Sequence, residues 1–347
     1  MLFFKSLFKP TFFTGCIPDP VDNRDFQYET IMAGEVDWEK GYDVEKDLGV
    51  TIPIKNQGSS SSCVGQGVSY YVGVLNAKEV GFYDENSAKA IYSQIFLSSG
   101  GAYIRNGMKL IVDWGSVCEL LVSSYNGKNT PDESFMRDKT WKNENIDSLA
   151  KVMQAKEYRV INSIDMNTFA MAIKNNYGIV GGVLGENNSS WNTGEPKPPT
   201  NGVWAHCLYY GKFGVDKLGK YIATPNSWGQ RVKDELHPDG WQKLREDYFK
   251  DNIQFNPWTL VDKPNYMMSE QTKKIMEENE KKIVVEGEGI GRKGIIINGK
   301  LREIKKDRVG EACLYTLVNN EVNNIPKRFG LTVSTQIFNE MEKDINF

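Results

Sequence analysis

The hydrophobic period changes part-way along the chain, and that change limits the architectures open to it. Four stretches of helical period, residues 64–80, 86–98, 104–114 and 167–175, come before three short β runs at 178–184, 203–211 and 220–224. A loop rich in Asn, Ser, Pro and Gly, residues 185–202, separates the first two β runs. Helices first and strands later predict an α+β domain with segregated helical and β-rich parts.

Two segments flank this body. Residues 1–35 combine a mixed apolar and basic arm, MLFFKSLFKPTFFTGC, with the Pro/Asp-rich PDPVDNRDFQYE, which has no helical or strand period and reads as an extended strap. After Lys263-Pro264 the composition shifts. Residues 269–282 form a charged helical stretch with few apolar anchors, most simply a solvated or partner-binding face. Ile295 to Leu301 encloses Asn298-Gly299, a two-residue hairpin signal. Residues 307–319 have an amphipathic period capped by Asp307, with Val309, Ala312, Cys313, Leu314 and Leu317 on one face. The expected organisation is an N-terminal strap (1–35), a main domain (36–263) and a small C-terminal α/β appendage (264–347) that offers a surface to a protein partner.

Composition removes several function classes. In 347 residues, 42 basic against 45 acidic side chains leave a net charge of −3, too near neutral to indicate a nucleic-acid partner. Two histidines and no CxxC pair argue against a structural zinc site, so no metal and no cofactor are expected. No run approaches the roughly 18 apolar residues of a spanning helix, so no integral membrane span is expected. Lys9-Pro10 breaks the apolar core that a secretory signal requires, and the arm reads as packing on its own protein or on a membrane surface. Five scattered cysteines, an odd number, read as reduced thiols, which suggests a cytoplasmic or virus-associated setting. The GxGxxG of residues 289–294 precedes a hairpin instead of a helix, so no helix N-terminus faces a phosphate and it reads as a loop.

The chemistry sits in three short segments. In Pro53-Ile54-Lys55-Asn56-Gln57-Gly58-Ser59-Ser60-Ser61-Ser62-Cys63 a polar loop enters a helix at Cys63, where unpaired helix N–H groups favour a thiolate. Gln57 is placed to offer an amide donor beside it, and with the Cys63 N–H would form an oxyanion hole. The alternative is a flexible serine loop and a buried small residue. His206 lies in a strand-like run, whereas His237, in Leu236-His237-Pro238-Asp239-Gly240, is expected to point into solvent from a turn. Asn226 follows a third β run and can accept from the His206 ring; Trp228 can cover that bond. On local grounds alone, His206 reads equally as a hydrogen-bonded core residue and PNSWG as a turn.

Taken together, KNQGSSSSC, VWAHCLYYG and YIATPNSWG resemble the cysteine, histidine and asparagine segments of papain-like cysteine peptidases, of a divergent bacterial or phage type. Order and spacing agree, with 143 residues from Cys63 to His206 against a family window of about 130–150. The resemblance spans residues 36–261, and PDPVDNRDFQYE resembles the leader ahead of some bacterial members. It implies a two-lobe fold, with a helical lobe carrying Cys63, a β-rich lobe carrying His206 and Asn226, and an active-site cleft between them. It also implies an endopeptidase that forms a thioester on Cys63, with His206 as base and acid, Asn226 as orienter and Gln57 as oxyanion donor. Cys63 and His206 would then form a thiolate–imidazolium pair. Gly100 and Gly101 would be the edge that pairs with substrate backbone, Trp228 would also bind substrate, and the partner is a peptide or protein.

The sequence also departs from the family pattern. Val64 stands where an aromatic residue usually follows the nucleophile, and Ser60 where a disulfide-forming cysteine often lies. Residues 1–35 are short for an inhibitory pro-region and would act as a strap over the cleft, if latency is used at all. The C-terminal segment resembles tails of phage-encoded proteins. Two alternatives follow: a papain-fold binding or assembly protein with weakened catalysis, or an acyl transferase using the same Cys–His machinery.

Overall fold

The computed structural model describes residues 15–126, 131–187, 189–200, 204–229, 232–250 and 253–262, together with the backbone of four strands between 284 and 333. The strap begins with strand β1 (Cys16–Ile17). Strand β2 (Tyr42–Asp43) leads into helix α1 (Val44–Leu48), capped by the Asp43 side chain. The central helix α2 (Cys63–Val80) is apolar or small on every side, which is why it is buried almost along its whole length. Its glycines allow close neighbours: a Cβ on Gly65 would come within 2.7 Å of the Ala88 carbonyl oxygen. Helix α3 (Ala88–Ile95), N-capped by Ser87, packs there, followed by strand β3 (Ala102–Tyr103) and helix α4 (Ile104–Asp113). Short helices α5 (Glu133–Arg137) and α6 (Glu144–Ala150) complete the helical half.

The β-rich half starts with β4 (Glu157–Val160), followed by helix α7 (Met166–Asn176) and strand β5 (Ile179–Gly185). Strands β6 (Trp204–Tyr210), β7 (Lys212–Asp216), β8 (Gly219–Thr224), β9 (Gln242–Leu244) and β10 (Gln254–Val261) follow. They form two antiparallel four-stranded sheets, ordered β4-β10-β5-β6 and β2-β7-β8-β9. One core unites α2, α3 and α4 with the inner faces of β6 and β10; a second lies between α7 and the sheets. The α+β, two-lobe expectation therefore holds. All four long helices and all three β runs read from the sequence are present.

Among the main-domain strands of three or more residues, those that periodicity does not reveal are β4, β7, β9 and β10. Strand β10 carries Pro257 and a register shift between Phe255 and Trp258, with Asn256 at φ 43°, so its alternation is broken where the strand bulges. In the C-terminal segment, strands β11 (Val284–Gly287), β12 (Lys293–Ile297), β13 (Lys300–Ile304) and β14 (Thr332–Val333) form a sheet of order β13-β12-β11-β14. Ile297 pairs with Lys300, the register that a two-residue Asn-Gly turn sets. The helical stretches expected at 269–282 and 307–319 lie outside the described residues.

The strap is clamped to both lobes. Strand β1 pairs in parallel with β3, Cys16 opposite Ala102. Asp19 accepts from the Trp258 indole (2.7 Å) and from the Arg105 backbone N–H (3.2 Å). The Arg105 guanidinium donates to Asp22 and Asp25 at 2.8 Å each. Glu29 receives the backbone N–H groups of Asn162 and Ser163, both at 2.8 Å. Among the described residues no helix is long and apolar enough to cross a membrane.

Candidate active site

Helix α2 begins at Cys63, and the Ser62 side chain does not cap it; the Ser62 hydroxyl instead pairs with that of Ser60 at 2.7 Å. Ser60 also donates to the Gln57 carbonyl at 2.7 Å. Hydrogen bonds thus close this turn. Gln57 is fully buried, its Nε2 donating to the Ser60 carbonyl (2.9 Å) and its Oε1 accepting from the Ser227 hydroxyl (2.7 Å).

On the opposite wall, β6 presents His206, in register with Val183 of β5. Its Nε2 lies 2.9 Å from Asn226 Oδ1. The surrounding network decides the tautomer. Gln242 donates from Nε2 to the Trp191 and Thr193 carbonyls, so its Oε1 must accept from Asn226 Nδ2, at 2.6 Å. Asn226 Oδ1 therefore faces His206 and also receives the Ser227 N–H. Nε2 carries the proton, and Nδ1 keeps a lone pair with no hydrogen-bond partner. The Trp228 indole stacks on the imidazole, and Trp191 and Trp204 meet it edge-on.

The two walls are tied together. Tyr70 of α2 accepts the Lys55 N–H at 2.5 Å and donates to the Asn226 carbonyl at 2.9 Å. The Gln57 N–H donates to the Ser227 carbonyl and the Gly229 N–H to the Lys55 carbonyl. The Cys63 sulfur lies within hydrogen-bonding reach of the backbone N–H of Cys207, next to His206, and of those of Gly15 and Val64.

Cys63 is not open to solvent as a helix-start thiol in a cleft would be; it is fully buried, because residue 15 of the strap lies against it. Burial, with the neighbouring Cys16 thiol, pushes the Cys63 thiol far above its ordinary range despite the three N–H groups. Burial also lowers His206 to about 4, against the opposing pull of Asn226. In this strap-on form the pair is a neutral thiol and a neutral imidazole, not the thiolate–imidazolium pair expected of an open site.

Gly101, at φ 74°, forms the wall on which the strap lies: a Cβ there would stand 2.2 Å from the Gly15 carbonyl oxygen. That carbonyl accepts the Ala102 N–H at 2.8 Å, while Gly100, at φ 94°, begins the same turn. His237 does not point into solvent. It is buried between Asp234 (2.8 Å) and Glu195 (3.1 Å), which hold the Gly194 loop in place. Tyr70 and Gln242 escaped sequence reasoning because a Tyr in an apolar helix and a Gln in a short strand carry no motif.

No family model matches the chain, and no curated protein sequence does. Solved structures do. Xylellain, a cysteine protease from Xylella fastidiosa, is similar with a TM-score of 0.58 at 19% identity, over 72% of this chain and 96% of its own. Procathepsin B S9 from Trypanosoma congolense gives 0.56 at 10% identity, over 72% and 86%. The chain has the papain-like fold.

The proform of the ragweed pollen cysteine protease Amb a 11 adds a TM-score of 0.52 at 14% identity, over 67% of this chain and 68% of its own. In this chain Cys63 heads the central helix α2 and His206 lies on strand β6. Among the described residues no group of His, Cys, Asp and Glu side chains is placed to hold a metal ion.

Proposed function

We propose that the protein is a latent cysteine endopeptidase, with residues 36–263 as its catalytic domain. The observation that carries this reading is the buried, unpartnered Nδ1 lone pair of His206, on the residue next to the N–H that reaches the Cys63 sulfur. A lone pair oriented by Asn226 and shielded by Trp228 costs stability unless something uses it.

With the strap withdrawn, Nδ1 takes the Cys63 proton and the thiolate attacks the carbonyl carbon of a peptide. The Cys63 N–H and the Gln57 amide stabilise the oxyanion. The Nδ1 proton passes to the leaving amine as the C–N bond breaks, leaving a thioester. Nδ1 then deprotonates a water that attacks the thioester, and the proton returns to sulfur as the acid departs. Gly100 and Gly101, in the turn that leads to the strap's partner Ala102, would form the edge that pairs with substrate backbone in the strap's place.

The test is alkylation of Cys63 with iodoacetamide or a peptidyl epoxide across pH, located by mass spectrometry and paired with a peptide-cleavage assay, on chain whose strap has been displaced. Selective labelling of Cys63 at a pH below about 6, lost in His206→Ala, is expected. Labelling no faster than at Cys118, with a midpoint near the ordinary thiol value of about 8.5, overturns the reading. An acyl transferase would show itself by aminolysis of the acyl-enzyme in preference to hydrolysis.

A further inference from the structure

Three of the five cysteines converge on one point from three elements: Cys16 from the strap, Cys63 from α2 and Cys207 from β6, each no more than 5% exposed and all in one core. All three are free thiols. Strand β1 packs against β6, which brings Cys16 up to Cys207 within the same core. Neither is free to retreat. Cys16 is pinned by the pairing of β1 with β3, and the Cys207 sulfur is backed by Gly67, where a Cβ would stand only 3.2 Å away. The catalytic chemistry uses neither side chain.

We propose that Cys16 and Cys207 are the two halves of a disulfide latch that fastens the strap over Cys63 under oxidising conditions. Its consequence for activity rests on the reading of Cys63 as nucleophile; the bond itself does not.

The chemistry needs a small disulfide oxidant such as oxidised glutathione. While the strap is seated both thiols are protonated and shielded, hence inert. When it lifts, the Cys16 thiolate attacks one sulfur of the oxidant, breaking its S–S bond and releasing one glutathione thiolate. As the strap returns, the Cys207 thiolate attacks the Cys16 sulfur of the mixed disulfide and expels the second glutathione. Two protein thiols lose two electrons and two protons, and two reduced glutathiones carry them away. Joining residues so far apart in sequence strongly restricts the undocked strap, so the seated form gains. Reduction reverses both steps.

The experiment incubates the full chain in oxidised and reduced glutathione mixtures, digests it without reductant and maps linked peptides by mass spectrometry. The expected product is a Cys16 peptide joined to a Cys207 peptide, two hydrogens lighter than the sum and separated by dithiothreitol. Iodoacetamide labelling of Cys63 should fall about tenfold or more on oxidation, and Cys16→Ser should keep it at the reduced level. Cys16 recovered only free, only glutathionylated or joined to Cys63 overturns the latch. A chain that forms the link but never cleaves peptide refutes the peptidase reading and leaves the latch standing. A chain that cleaves peptide but never forms the link refutes the latch alone.

Discussion

The imidazole of His206 lies flat on the indole of Trp228, with ring centroids 4.2 Å apart and planes 18° from parallel. This contact shuts water out of the His206–Asn226 hydrogen bond and fixes the ring's rotation. Trp228→Ala should cost about 3–5 kcal/mol of stability, as expected for a buried Trp. Trp228→Phe should retain most of the fold and, with Cys63 as the nucleophile, keep more of kcat than Trp228→Ala does. Denaturant unfolding and peptide-cleavage kinetics on the two variants check this.

The strap's grip on Cys63 depends on Gly15. A Cβ at this position would stand 2.1 Å from the Ser61 carbonyl oxygen, which is backbone and cannot step aside cheaply. Gly15→Ala is therefore expected to unseat residues 15–17 and raise the iodoacetamide rate at Cys63 about tenfold or more, with every proposed catalytic side chain intact. An unchanged rate would show that residue 15 does not control access.

Asp19 ties strap docking to pH. Burial raises its carboxyl from 3.8 to about 6 while the strap is seated, so its contribution to docking is full below 3.8 and is lost as pH rises through 6. The opening equilibrium should therefore rise by on the order of a hundredfold between roughly pH 3.5 and 7, and Asp19→Asn should flatten that rise. Hydrogen exchange at the β1 amides measures it; the same profile in the native chain and the variant would refute the assignment.

Gln57 should behave as an oxyanion donor that is also part of the loop. Gln57→Ala is expected to lower kcat by on the order of 10²–10³ with a smaller effect on KM. Because Ser60 and Ser227 both lose a partner, the melting temperature should also fall. A drop in melting temperature with kcat unchanged would leave Gln57 a purely structural role.

Much of the architecture was legible because it rests on local signals. The continuous apolar run after Cys63 could only be a central helix, and β5, β6 and β8 announce themselves through β-branched and aromatic runs. The pairing of Ile297 with Lys300 is the register that the Asn-Gly signal in the sequence predicts. Strand β10 was hidden by its own bulge, and β7, interrupted by Gly214, is too short for its alternation to register. At the candidate site, Gln57, Cys63, His206 and Asn226 could be named from their segments; their contacts, His206 with Asn226 and Gln57 with Ser227, appear only in the fold. His237 was misplaced because a His-Pro-Asp-Gly turn reads as exposed. Its burial comes from Glu195, 42 positions away, reaching it through the Gly194 loop.

The sequence alone determined the α+β division, the helix that starts at Cys63 and the order of the thiol, imidazole and carboxamide segments, because these depend on period, capping and spacing along the chain. Only the tertiary structure decided the protonation state of the site. Charge on Cys63 and His206 depends on what excludes water from them: around the thiol the strap, held by Gly101, Arg105 and Trp258, and around the imidazole Trp204 and Trp228, contacts that no local pattern predicts. The meeting of Cys16 with Cys207 is of the same kind, a contact between a short edge strand and the back of β6 that exists only once both lobes are folded.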